Sequence, residues 1–287
     1  MKSITRTFVA SSLLLAFSGS VTAAGLFDGG LPTGWTVDGG STSAGTSAAD
    51  GDVGLAPGGG ARYGWVSTAS GLVGVGALPG IGAGNLANAP NGSTLTSTLF
   101  SATAGQNLRF FFNYVTSDGA GFADYGWARL LDGGANPVAV LFTARTTPPD
   151  NGVPQNSVPG FGLPPIAATL TPGFVSIPDV FVGGQRIGPT WSPLTETPGA
   201  CFAEGCGLTG WVQSDYTIAA AGNYLLQFGV TNWDDNGFQS GLAFDGITVG
   251  GTPIDQVPVQ VVPVPGSILL LASGLVGLLS LRRRSRI

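Results

Sequence analysis

Carboxylates, tryptophans and two cysteines set the chemistry open to this chain, because it contains no histidine at all. Histidine is the commonest general base, proton shuttle and metal ligand near neutral pH, so Ser-His-Asp and Cys-His catalysis and histidine-ligated zinc are excluded. A hydrolase built on two carboxylates stays open, but the only glutamates, Glu196 and Glu204, sit in loop sequence beside the cysteines, with no strand to fix their separation. A secreted carbohydrate-active enzyme using acidic residues is therefore the alternative class. The expected class is a non-catalytic binding or structural protein.

Among the aspartates, Asp234 and Asp235 precede Asn236 in one short stretch, which reads either as a hard-cation or ligand site or as a solvated turn. Aromatic rings bind sugars by stacking on their C–H faces. Trp65, Trp127 and Trp211 fall in strand-like sequence, where tryptophan is more often core than platform. Trp191 and Trp233 fall in loops and are the expected ligand-binding rings, with Asp234 and Asp235 as polar partners. Cys201 and Cys206 are close enough to close a small disulfide loop, the other reading being two buried thiols.

The elements that must position these groups are strands. Leu108, Phe110, Phe112 and Tyr114 alternate with Arg109, Phe111, Asn113 and Val115, giving one strongly apolar face and one mixed face. Similar short runs begin near Trp35, Arg62, Thr94, Asp124, Pro137, Gly210, Tyr224 and Leu242, separated by Asp-Gly, Gly-Gly and Ala-Gly turn signals. No segment between the termini offers a 3.6-residue apolar period with caps. The expectation is an all-β chain: one jelly-roll-like antiparallel β-sandwich of eight to ten strands over residues 25–250, with long Gly/Pro-rich loops. Residues 39–61 and 71–92 read as loop. Residues 144–200 hold 11 of the 20 prolines, yet Phe161, Phe174, Phe181 and Trp191 are too apolar for a solvated linker, so this stretch reads as an ordered excursion with one edge strand near Phe174 to Val182.

In the last strand, Leu242 and Phe244 share one phase while Ile247 and Val249 share the other. Either a bulge at Asp245-Gly246 resets the phase, or Asp245 faces the core and needs a partner for its carboxylate. Phe27-Asp28 before Gly34-Trp35, together with Ser240-Gly-Leu-Ala-Phe-Asp-Gly-Ile-Thr-Val, is similar to the first and last strands of carbohydrate-binding-module-type jelly rolls. That resemblance implies a structural calcium held by Asp28 and Asp245, against Asp-Gly turn chemistry for the same residues. Asp28 stands where the family has glutamate, and Gly246 where it repeats an aspartate.

Charge narrows the partners. Between the terminal segments lie five arginines, no lysine and all sixteen acidic residues, a formal charge of −11, so nucleic acid is excluded as a partner. At the N-terminus, Lys2 and Arg6 precede an apolar run ending in Val21-Thr-Ala-Ala, the pattern of a signal peptide over residues 1–24 that the Sec export machinery would read. After a linker, 251–262, residues 263–287 carry Pro263-Val264-Pro265, the 14-residue apolar run Ile268 to Leu281, and Arg282, Arg283 and Arg284. The run is short of the roughly 20 residues of a comfortable span. This three-part tail resembles the PEP-CTERM sorting signal, with Val264 in place of the family's glutamate. The resemblance implies transient inner-membrane anchoring, processing by an exosortase-like enzyme, and delivery to the cell surface or extracellular matrix alongside exopolysaccharide. A lasting membrane anchor is the other reading of the tail.

Overall fold

The computed structural model describes residues 25–81, 91–148 and 150–259. The signal peptide and the tail, including Pro263, Val264, Pro265, Arg282, Arg283 and Arg284, lie outside the described residues. Among those described, no helix is long and apolar enough to cross a membrane.

Eight principal strands carry the architecture: β1 (Tyr63–Ser67), β2 (Asn91–Thr96), β3 (Asn107–Thr116), β4 (Tyr125–Asp132), β5 (Pro137–Arg145), β6 (Val212–Thr217), β7 (Gly222–Thr231) and β8 (Ser240–Val249). One sheet runs β2-β7-β4-β5 and the other β6-β3-β8-β1, with every pairing antiparallel. The chain crosses between sheets at every step except β4 to β5, which is the path of a jelly roll. The expected fold class is therefore the observed one, and among the described residues nine shorter strands add to the eight.

The alternation in β3 does what its pattern demands. Leu108, Phe110, Phe112 and Tyr114 are buried between the sheets, where Phe112 stacks on Phe142 of β5 at 3.6 Å and Phe244 of β8 stacks on Phe228 of β7 at 3.8 Å. These rings tie one layer to the other, and each fully buried aromatic side chain contributes about 1.5–3 kcal/mol.

Two departures from the sequence reading add short strands, two of them at the edges of the second sheet. Within the expected loop 39–61, Ala44–Ser47 pairs with β1, since Gly45 leaves room for the indole of Trp65 where a Cβ would lie 2.7 Å from its ring. In the excursion, Thr169–Thr171 extends the second sheet beside β6. The expected edge strand is cut back to Val180–Val182, which pairs with Gln185–Ile187 across Gly183-Gly184, both at positive φ. Pro178 cannot donate to a ladder, so the segment before it stays irregular.

Candidate functional site at the loop end of the sandwich

Strand register places one end of the sandwich as the chemically rich one. Thr231, Tyr125 and Arg145 stand in one row across β7, β4 and β5, and Thr116 stands opposite Ser240 across β3 and β8. The loops 117–124, 146–168 and 232–239 all leave from this edge.

Arg145 is buried there. Its Nε donates to the Ala123 carbonyl at 3.0 Å, and its guanidinium lies over the rings of Trp233 at 4.5 Å and Tyr125 at 5.6 Å. Burial pulls the Arg145 pKa below its ordinary value, opposed by the charges of Tyr125, Tyr114 and Asp124. Arg145, Trp233, Asp234, Asn151 and the exposed Phe161 line an open cleft of about 350 Å³.

Beneath it lies a group of carboxylates. Asp124 is fully buried, accepting from the Trp233 amide at 2.9 Å and from the Ser240 hydroxyl at 2.6 Å. Asp118, 2% exposed, accepts from the Gly119 amide through Oδ1 at 2.7 Å, while its Oδ2 has no hydrogen-bond partner. Burial, partly offset by the Gly119 bond and reinforced by the charges of Asp235 and Asp234, pushes Asp118 up to about 7. Burial and the charge of Asp118 raise Asp124 well above the usual carboxylate range.

The Cys201–Cys206 disulfide is formed, with Cα atoms 5.8 Å apart, and it serves this end. Phe202 donates its amide to the Ser117 carbonyl and Ala120 donates to Glu204, while the Phe202 ring packs between Phe122 of one loop and Phe238 of another. The bridge thus braces the loop that carries Asp118. Glu204 accepts from Gln155 at 2.7 Å and does not line the cleft.

Of the residues expected to meet a ligand, Trp233 and Asp234 line the cleft, whereas Asp235 does not and accepts the Gly237 amide at 2.8 Å. Trp191 is corrected. It is fully buried on the outer face of the second sheet, its indole N–H donates to the Tyr63 hydroxyl at 2.9 Å, and a Cβ on Gly241 would lie 2.4 Å from its ring, so no face is left for a sugar. Its loop sequence concealed that the excursion folds back and caps Tyr63, Val115 and Ala243.

Sequence reasoning missed Arg145, Asp118 and Asp124. The signal for Arg145 was scarcity, one of five arginines closing an otherwise apolar strand. Asp118-Gly119 looked like turn chemistry and Asp124 like a strand start, and only the pairing of β3 with β8 joins them.

Asp28 and Asp245 do meet, at a different place. The register between β8 and β3 shifts after Asp245, with Gly246 at φ +65°, so the bulge resets the phase and Asp245 points to the outer face. Asp245 Oδ2 accepts the Gly60 amide at 3.2 Å; Asp28 accepts the amides of Gly25, Ala61 and Arg62. A calcium ion here would compete with those four backbone donors for the same oxygens. The arrangement is a clasp that ties the segments at 25–28 and 58–62 to β8. Burial, offset by the Gly246 and Gly60 amides and reinforced by the Asp28 charge, pushes Asp245 up to about 6. Among the described residues, no three acidic or cysteine side chains are drawn together as a ready-made metal centre.

No protein-family model and no curated protein matches the chain. Among solved structures it is similar to the crystal structure of the K1 cleaved adhesin domain of Lys-gingipain from Porphyromonas gingivalis W83, at 12% identity over 76% of this chain and 92% of that chain, with a TM-score of 0.32. A likeness of that degree carries no argument, and the fold stands on the strand pairing above.

Proposed function

We propose that this is an exported protein, sorted to the cell surface or matrix, whose jelly roll binds a glycan without catalysis in the cleft of Arg145, Trp233, Phe161, Asn151 and Asp234. The observation that carries this reading is the cleft itself: aromatic rings for sugar faces, and amide, carboxylate and guanidinium groups for hydroxyls, within a volume typical of ligand sites. A disulfide suits an oxidising compartment, and the signal-like N-terminus and PEP-CTERM-like tail supply export and sorting by the same reading. Processing by an exosortase-like enzyme and transient anchoring belong to this proposal. Calcium at Asp28 and Asp245 would have to share oxygens that four backbone amides already use.

The test is a glycan array that includes exopolysaccharide fragments, followed by titration of any hit against wild type and Trp233→Ala. Binding that weakens at least tenfold in the variant is expected. Absence of any glycan binding, or equal binding by both proteins, overturns the reading.

A further inference from the structure

The backbone nitrogen of Gly25 stands where a charged amine would be held. It donates to Asp28 Oδ2 at 2.7 Å, and Asp28 Oδ1 accepts the amides of Ala61 and Arg62 at 2.7 and 3.0 Å. Gly25 packs against the backbone of Gly60: a Cβ on Gly25 would stand 2.4 Å from the Gly60 Cα, and one on Gly60 would stand 2.3 Å from Asp28 Oδ1. Two residues on, Phe27 is fully buried and meets Phe244 of β8 edge-on, which fixes the segment in place. Gly25 lines a small cavity of about 150 Å³ together with Gly60, Asp245 and Gly246.

The charge around this nitrogen is one-sided. Asp28 binds it, Asp245 lines the same cavity, and Asp255 lies in a neighbouring cleft beside Leu26. Arg62, the cation of the packed segments, turns its guanidinium to Thr46 instead. The ion pairs among the described residues are Arg109–Asp215 and Arg186–Asp179, and neither involves the clasp. A carboxylate held by three N–H donors and no cation gains from a positive charge on one of those donors, because charge on the donor as well as the acceptor shortens and strengthens a hydrogen bond.

The sequence can supply that charge. Val21-Thr22-Ala23-Ala24 ends in the small residues at which a signal peptide is cut, and Gly25 follows directly. We propose that hydrolysis of the Ala24–Gly25 bond, by the peptidase of the export pathway, turns the Gly25 nitrogen into the cation of the clasp, an α-ammonium ion-paired with Asp28. One water is consumed: its oxygen goes to Ala24, which leaves as a carboxylate, and its two protons go to the Gly25 nitrogen. One ammonium donor keeps the bond to Asp28 Oδ2, leaving two for the cavity that Asp245 lines. Burial is the largest cause of the raised Asp245 value, and a charge on Gly25 leaves that cause in place. Processing thereby strengthens the contact that ties the start of the domain to β8. The inference rests on residues 1–24 being an export signal, and it stands whatever the cleft of Arg145 binds.

The test is clean because Lys2 is the only lysine and leaves with the signal, so the α-amine is the one aliphatic amine of the processed protein. The full-length chain is expressed with export in a Gram-negative host, the exported protein is sequenced from its N-terminus, and the acylation rate of its α-amine is followed against pH. Gly25 should be the first residue. Pairing with Asp28 favours the charged amine, so its pKa should stand about one unit above the roughly 7.7–8.0 of a free α-amine, and acylation at pH 7 should be about tenfold slower than in Asp28→Asn. Asp118→Asn, in the loop after β3, should react as wild type does. If circular dichroism shows that Asp28→Asn fails to fold, wild type in guanidinium chloride takes its place, and the same acceleration is expected on unfolding. A protein that still carries residues 1–24 overturns the export reading and the ion pair together. A protein that begins at Ala24, or one that begins at Gly25 with an amine no slower than in Asp28→Asn or in denaturant, overturns the ion pair and leaves export standing. Equal acceleration in Asp118→Asn overturns the ion pair as well.

Discussion

Two pairs of aspartates lie in this sandwich, and they are used in opposite ways. Asp28 and Asp245 are met by four backbone amides, so their side chains tie chain segments together. Asp118 and Asp124 are as deeply buried as Asp245, whereas Asp28 is half-buried, and Asp118 keeps one oxygen without a partner beside further acids. Burial alone therefore does not separate a structural carboxylate from a functional one. What sets Asp118 apart, even from the hydrogen-bonded Asp124, is an oxygen without a partner.

The comparison can be broken by substitution, and the largest effect falls on the satisfied pair. Asp28→Ala leaves three amides without their charged acceptor and should cost about 4 kcal/mol, at roughly 1.5 kcal/mol per charge-assisted bond. Equilibrium denaturation measures it, and a loss under about 1 kcal/mol would show that the clasp is not structural.

Asp245 sharpens the contrast through pH. Its native pKa of about 6 lies above that of an unfolded aspartate, so the native state holds this proton more tightly. The stabilisation is complete below about pH 4 and is lost as pH rises through about 6, a swing of at most about 3 kcal/mol. Asp245→Asn keeps an acceptor for Gly60 and removes the titration, so its thermal stability should decline less than that of wild type between pH 4 and 7. Parallel curves would count against the raised value.

Removing the disulfide by Cys201→Ser with Cys206→Ser should cost about 2 kcal/mol, as expected for so short a loop. Equilibrium denaturation measures the loss, and the pH dependence set by Asp245 should stay intact. Smallest is Asp118→Asn. It keeps the bond to Gly119, and stability should change by no more than about 1 kcal/mol, since no partner of Oδ2 is lost. A larger loss would mean that Oδ2 has a structural partner, and the two pairs would no longer differ.

Much of the fold was legible because period-two patterning and Asp-Gly turns are local signals: the faces of β3, the strand starts near Asp124 and Pro137, and the phase break at Asp245 all appear where the spacing places them. The site was legible only in part. Trp233 and Asp234 announced themselves by residue type in a loop, whereas Trp191 had the same local credentials and became core. What decides between them is a long chain segment folding back over a sheet, which no local pattern encodes. Asp118 and Asp124 were hidden for the related reason that their surroundings come from far along the chain: β8 supplies Ser240, and the loop before it supplies Asp234 and Asp235.

The pairing of β8 with β1 has a kinetic meaning. The amide of Gly60 meets Asp245 across 185 residues of sequence, and β1 finds its ladder partner only in the last principal strand. Closing so distant a pair is slow, because chain entropy must be lost before native contacts repay it. Until Ser240–Val249 has been synthesised, β1 has only the short strand Ala44–Ser47 beside it, and the second sheet lacks its centre. The second sheet can therefore be completed only once the last principal strand is made, and a chain whose sheet is still open is easier to thread through a narrow channel than a folded one.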